Sequence, residues 1–277
     1  STHQNDLTYH TSRHYCSCSS NIVDVACLRA YINEINRRGF MPPHIIKAAF
    51  LLFNTPPEDL SYNKSTGDSG TSNNVSDNDS KTRHFSFHPG CSEHTRTEII
   101  SSYQVIPDFI SPEEEQFIIA EVDPHFQRLP YEFDHWDDAI VGFRETEVSR
   151  WSSNCASILE RLKTRAFSTK KKILVFTHIL DLAENGHIKP HVDSIRFSGN
   201  TIAGLSLNSA AVMRLVSESD TNQVVDILLP PRSLYIMKDR SRYNYTHEVL
   251  ANEYSKFGDM PVPKTRRISI ICRNEPL

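Results

Sequence analysis

Six short runs rich in β-branched and other apolar residues, at 173–182, 202–207, 212–216, 224–229, 233–237 and 267–272, set the tightest limit on how this chain folds. Turn-forming stretches divide them: Glu184-Asn185-Gly186, Ser198-Gly199-Asn200 and Pro230-Pro231. Two helical patterns come first. Ser111 is placed to cap a helix with Pro112 in its first turn and Glu114 closing a capping box, and 153–166 reads as a second helix with Ile158 and Leu162 on one face. Helices followed by many short strands predict an α+β chain with a β-sandwich or barrel core.

Upstream of this body the composition changes. Seventeen of the twenty residues at 61–80 are Ser, Thr, Asn, Asp or Gly, too few apolar groups to offset the entropy of ordering them. The chain therefore divides into an N-terminal extension with short helices (1–60), a disordered low-complexity linker (61–95) and a body (96–277). Val25, Leu28, Ile32 and Ile35 share a helical face in the extension, and Gly39 follows as a stop. With only five Lys or Arg before position 61, the extension makes a poor transit peptide. A net charge of −4 argues against a basic nucleic-acid module. No run approaches 18 apolar residues, so no membrane span is predicted. The six Cys form no CxxC pair, which favours reduced thiols over a disulfide scaffold. His84, His88, Cys91 and His94 have spacings compatible with zinc, but a flexible His-bearing segment is the plainer reading.

Chemistry concentrates at His191-Val192-Asp193. In a strand, residues i and i+2 point the same way, so an imidazole and a carboxylate converge. His247 is the best candidate for a third ligand, shortly after a strand. Two His and one carboxylate form the facial triad of non-haem Fe(II) oxygenases, which leaves positions open for a bidentate cosubstrate and dioxygen. HxD alone is common. A second signal comes from the strand at the C-terminal end, where Arg267, Ser269 and Arg273 share a face by alternation. A guanidinium on the inner face of an apolar strand is costly unless it meets a carboxylate. An edge strand with solvated or salt-bridged arginines would read the same way. Taken with the triad, the pattern describes a 2-oxoglutarate site, its distal carboxylate on Arg267.

These motifs, in this order, resemble the AlkB family of Fe(II)/2-oxoglutarate dioxygenases. YEFDHWDD from Tyr131, GFRETE from Gly142, SRW from Ser149, IKPHVDS from Ile188, TIAGLSL from Thr201 and RISIICR from Arg267 are similar to its mitochondrial, seventh-homologue branch over residues 98–277. The resemblance implies a double-stranded β-helix (jelly-roll or cupin-like) with flanking helices. It implies His191, Asp193 and His247 as Fe(II) ligands, Arg267, Ser269 and Arg273 beside 2-oxoglutarate, and Tyr235 as a further cosubstrate contact. Nucleic-acid-repairing members carry Asn-x-Tyr upstream of HxD; here that stretch reads Leu180-Asp181-Leu182, and Tyr235 is the expected substitute. They also carry a nucleotide-recognition lid, for which the segment between Trp136 and Trp151 is too short.

With Fe(II), 2-oxoglutarate and O2, such a site hydroxylates or demethylates a C–H-bearing group. A protein substrate is the first expectation, since residues 96–277 carry 22 basic against 25 acidic residues. The resemblance also implies a role in mitochondrial metabolism and regulated cell death, in the matrix, for a monomer. RNA, including tRNA, is the alternative substrate, through a patch of Arg161, Lys163, Arg165 and Lys170–Lys172. Duplex DNA is disfavoured. A non-catalytic 2-oxoglutarate-binding regulator is the third reading. Tyr131, His135, Trp136 and Trp151 are candidates for the substrate mouth or for core, His178 is a candidate near the site, and Cys272 is expected to be a buried thiol.

Overall fold

The computed structural model describes residues 82–135 and 138–276. These form an antiparallel sheet creased into two facing leaves. One leaf runs β2 (Tyr103–Ile106), β8 (Ser233–Lys238), β5 (Thr201–Leu207), β12 (Arg267–Arg273) and β4 (Thr177–His191), with β3 (Ile140–Val148) along the other edge of β4. The second leaf continues from β4 through β9 (Tyr245–Val249), β6 (Ala211–Ser217) and β7 (Val224–Leu229) to β1 (Phe85–Phe87). A separate ribbon pairs β10 (Lys256–Phe257) with β11 (Met260–Pro261).

Strand β4 belongs to both leaves. Its first half pairs with β12, Leu182 opposite Arg267, and its end pairs with β9, His191 opposite His247. The crease lies between. Gly142 takes φ +65 at a bulge in β3, and a Cβ on Gly186 would stand 2.3 Å from the Gly142 carbonyl oxygen. Only glycine tolerates both demands. The turn expected at Glu184-Asn185-Gly186 is therefore this bend and not a chain reversal. The pairing with β3 breaks register at the bend and resumes beyond it, Phe143 opposite Leu182 before and Val141 opposite His187 after, so the strand continues and does not reverse.

Side-chain alternation builds two cores. Leu180, Leu182, Ile202, Met237 and Ile271 face Met213, Leu215, Val225, Ile227 and Val249 between the leaves. Ile179, Leu205, Leu234, Ile236, Ile268 and Ile270 point the other way, against Ile118, Val122 and Phe126 of α2 (Pro112–Phe126) and Ile158 and Leu162 of α3 (Ser153–Ala166). Each such side chain contributes about 1.5–3 kcal/mol by leaving water. The capping box forms as read: the Glu114 amide donates to Ser111 Oγ at 3.2 Å and the Ser111 amide to Glu114 Oε2 at 2.9 Å. Helices α1 (Glu93–Ser102) and α4 (Arg240–Tyr243) complete the described elements, and the architecture is a double-stranded β-helix with flanking helices. No described helix is long and apolar enough to cross a membrane.

Residues 85–95, expected at the end of the linker, are ordered. Phe85 and Phe87 pack against the inner core as β1 pairs with β7, and α1 begins at Glu93. The polar composition that argues for disorder stops at residue 80, and the aromatics after it supply burial. The helical pattern from Val25 to Ile35 and the segment 61–80 lie outside the described residues.

On the helical side of β4 sits Asp181, with no solvent exposure. Arg144 and Arg266 both donate to its carboxylate, the Tyr131 hydroxyl donates at 3.3 Å, and Arg266 reaches Asp123 of α2 at 2.7 Å. Tyr131 thus belongs to this buried cluster and not to a substrate mouth. Asp181→Asn strips the charge that two guanidinium groups share. It is expected to lower unfolding free energy in urea by on the order of 3–5 kcal/mol, and a loss below about 1 kcal/mol would show the cluster to be dispensable.

Candidate active site

His191 ends β4, Asp193 follows in the next loop, and His247 lies on β9 directly across from His191. The Nε2 atoms of His191 and His247 stand 3.3 Å and 3.6 Å from Asp193 Oδ1, and the imidazole centroids are 4.3 Å apart. One possible ligand atom from each residue lies within 4.8 Å of the others. Among the described residues this is the group of three that gathers as a metal site. The His191 Nδ1–H donates to the Lys189 carbonyl at 2.9 Å, which orients the ring and leaves Nε2 facing Asp193.

The electrostatics suit a cation. Burial first, then His191, presses the His247 pKa down to about 3, so its ring is neutral and keeps a lone pair. Burial opposes ionisation of Asp193, but Arg273, the His191 hydrogen bond and His247 hold its carboxyl well below the usual carboxylate range. Two imidazoles and one carboxylate make the donor set of a facial triad, fitted to Fe(II).

The second half of the site comes from the other leaf. Strand β12 is central, between β4 and β5, so its arginines are not edge residues. Ile268, Ile270 and Cys272 point to the helices, while Arg267, Ser269 and Arg273 point between the leaves. Arg267 is 1% exposed. Its Nε donates to Ser206 Oγ at 3.0 Å, and its Nη2 is buried without a partner among the described residues. That is a donor in wait of an acceptor. Tyr235 lies across its ladder partner Gly204, and burial lowers the Arg267 pKa against the opposing effect of the nearby Tyr235 and Tyr103 hydroxyls.

Arg273 Nε meets Asp193 Oδ2 at 3.2 Å, and its Nη1 lies 3.3 Å from His178 Nδ1. His178 Nε2 in turn contacts Glu145 Oε2 at 2.9 Å, and His135 stands 3.4 Å from the other Glu145 oxygen. His178 is therefore joined to the site as expected, through Arg273. Sequence reading missed Glu145, whose strand carries acids on its inner face and so lacks the apolar alternation that marks a strand. It also missed Arg242, which is fully buried near Asp193 and His247. Standing with Arg240 in the polar stretch DRSRYNY, it gives no signal to separate it from a surface residue.

Other candidates fall elsewhere. Trp151 packs with the helical core, and Trp136 lies outside the described residues. Cys272 is buried, and burial pushes its thiol pKa up. His88 bonds Asp226 and the Cys91 thiol donates to the Val224 carbonyl, so the zinc spacing has no matching cluster among the described residues. Leu180 and Leu182 face inward where a cosubstrate-binding Asn-x-Tyr would stand.

Residues 142–273 match the model of the 2OG-Fe(II) oxygenase superfamily. Two curated relatives, each called alpha-ketoglutarate-dependent dioxygenase alkB homolog 7, mitochondrial, from Bos taurus and Mus musculus, are 50% identical over 172 residues, covering 62% of this chain and 78% of theirs. The solved structure of OsALKBH1 superposes with a TM-score of 0.47 at 11% identity, over 62% of this chain and 97% of that one.

Proposed function

The chain belongs to the AlkB family of Fe(II)- and 2-oxoglutarate-dependent dioxygenases, and on that premise we propose that it oxidises a protein, at a side-chain or backbone C–H bond. Its cofactors are Fe(II), 2-oxoglutarate and O2. In the proposed assignment His191, Asp193 and His247 hold the iron, Arg267 takes the distal carboxylate of 2-oxoglutarate, and Tyr235, Ser269 and Arg273 line the cosubstrate. The orphaned Nη2 of Arg267 is the observation that carries this assignment. When bound, iron and 2-oxoglutarate supply oxidative decarboxylation to succinate and CO2 and the hydroxylation of a substrate carbon, which at an N-methyl group ends in loss of formaldehyde. The chain itself orients and shields. Lys189 fixes the His191 ring, Arg273 steadies Asp193, and the apolar row of Leu180, Leu182 and Ile271 excludes water around the cosubstrate.

Three features support protein over RNA. The body carries a slight acidic excess. Three of the six basic residues that would serve RNA are engaged within the fold: Arg161 pairs with Glu114, Arg165 donates to Gln104, and Lys171 donates to Asn200 and Thr201. The segment where a nucleotide lid would stand is occupied by β3, paired along β4. A mitochondrial location follows the naming of the relatives, and the matrix compartment and the role in metabolism and cell death rest on the resemblance alone and stand with this proposal.

The test is succinate release from labelled 2-oxoglutarate by the full chain with Fe(II), O2 and ascorbate. Mitochondrial protein and mitochondrial RNA are supplied separately across a salt series. Protein-stimulated turnover that varies little with salt is expected. Stimulation by RNA alone, falling steeply as salt rises, would overturn the protein reading in favour of RNA.

Gly204 tests the cosubstrate half. A Cβ there would lie 2.4 Å from Tyr235 Cζ and 2.5 Å from its hydroxyl oxygen, so Gly204→Ala must push the ring away from Arg267. Losing one hydrogen bond to a charged group is expected to weaken 2-oxoglutarate binding by about tenfold or more. In a Tyr235→Ala background the same change should be silent. Equal losses in both backgrounds would show that Gly204 does not act through Tyr235.

A further inference from the structure

Arg242 is one of the largest side chains in the protein with no exposed surface. It stands in the four-residue α4, over the face of Tyr243 at 5.0 Å, and Nη2 donates to Ser198 Oγ at 2.9 Å. Its Nε and Nη1 are buried with no hydrogen-bond partner among the described residues. A guanidinium stripped of water on two of its nitrogens is stable only where an acceptor comes to meet them.

The surroundings say what kind of acceptor. Asp193, Tyr243, Arg273 and His247 are the titratable groups whose fields Arg242 feels. Asp193 is the carboxylate among them, and Arg273 already holds one of its oxygens. Two arginines thus share one carboxylate, and a divalent cation on Asp193 would raise the positive excess further. The missing partner is an anion at the metal end of the cavity.

Position completes the picture. Arg267 is the first residue of β12 and Arg273 the last, opposite Ile202 of β5. Helix α4 follows directly on β8, whose Lys238 lies opposite Thr201, so Arg242 sits at the Arg273 end of the strand. The two buried arginines with orphaned N–H groups therefore stand toward opposite ends of the inner face of β12. A molecule with a carboxylate at each end matches them. We propose that Arg242 binds the carboxylate adjacent to the keto group of a 2-oxo acid, through Nε and Nη1, while Arg267 binds the distal carboxylate. This rests on the reading of the cavity as a 2-oxoglutarate site.

The two ends are separable with ligands that differ only at the distal carboxylate. The full chain is loaded with Mn(II), which does not turn over, and binding of 2-oxoglutarate and of 2-oxobutyrate is followed by water-proton relaxation. Arg242→Met should weaken both ligands at least tenfold while Mn(II) affinity stays within a few-fold of wild type. Arg267→Met should weaken 2-oxoglutarate and leave 2-oxobutyrate unchanged. Ser198→Ala, which removes the hydrogen bond from Arg242 Nη2, should leave both affinities near wild type. Unchanged binding in Arg242→Met, or a loss confined to 2-oxoglutarate, overturns the proposal. Loss of Mn(II) itself would make Arg242 a support of Asp193 and overturn it too. If Arg242→Met fails to fold by circular dichroism, Arg242→Lys keeps the charge but loses the paired donors, and the same tenfold loss on both ligands is expected of it. Wild-type protein that holds Mn(II) and binds neither oxo acid would overturn the 2-oxoglutarate reading itself, a different failure from an Arg242 variant that matches wild type.

Discussion

Alanine at His247 is expected to abolish succinate formation and to weaken metal binding by more than about 100-fold, since even partners that merely orient a metal ligand cost 10–100-fold when removed. The imidazole is neutral in place, so its removal takes away a lone pair and leaves no buried charge behind. His247 pairs across the ladder with His191, and the backbone of both strands survives the change. The folded chain should therefore persist, with far-ultraviolet circular dichroism close to wild type and no turnover. Turnover above about 1% of wild type, with iron retained, would show that His247 is not a ligand.

Arg267→Ala should give the opposite kinetic pattern. The proposed metal ligands are untouched, and the proposed contact that is lost is to the far end of the cosubstrate. Removing one member of a buried, hydrogen-bonded charge pair costs about 2–5 kcal/mol, roughly 30- to several-thousandfold in binding. The KM for 2-oxoglutarate should rise by at least that lower factor, while kcat at saturating cosubstrate falls far less. A rise of under tenfold would refute the assignment of the distal carboxylate. The same residue makes a second, inverse prediction. An unpaired guanidinium that is 1% exposed burdens the fold when no carboxylate is bound. Arg267→Met should therefore leave the ligand-free protein as stable as wild type or more so.

Much of this was legible in the sequence because period two is a strong signal. Alternation in RISIICR placed Arg267, Ser269 and Arg273 on one face, and the structure turns that face inward. His191 and Asp193 also come together, but Asp193 lies in the loop after β4, so strand alternation is not what joins them. The capping box at Ser111 and the helix at Ser153–Ala166 were local features, and local features survive folding. What failed was non-local. Strand β3 carries Glu145 and Glu147 on its inner face, so it lacked an apolar stripe. Asn185-Gly186 has the chemistry of a turn, and only the pairing of β3 across it makes a bend instead. Arg242 and Asp181 are charged residues whose burial depends wholly on partners distant in sequence.

The Gly142–Gly186 crease divides the labour of the cavity. The proposed iron ligands stand at the end of β4, in the loop after it and on β9, while Arg267, Ser269 and Tyr235 stand on β12 and β8 across the fold. Metal thus loads on one half alone, whereas the oxo acid must touch both. A bound cosubstrate is then a cross-brace, tying together two halves that share β4 as their continuous strand. Its binding should raise the melting temperature of the metal-loaded protein, and the rise should continue with the logarithm of its concentration beyond saturation, by the linkage of ligand to fold. A bulky residue at Gly186 should loosen the oxo acid while sparing the metal, so that the bend of the sheet, beside the residues lining the cavity, sets whether the two ligands are held together.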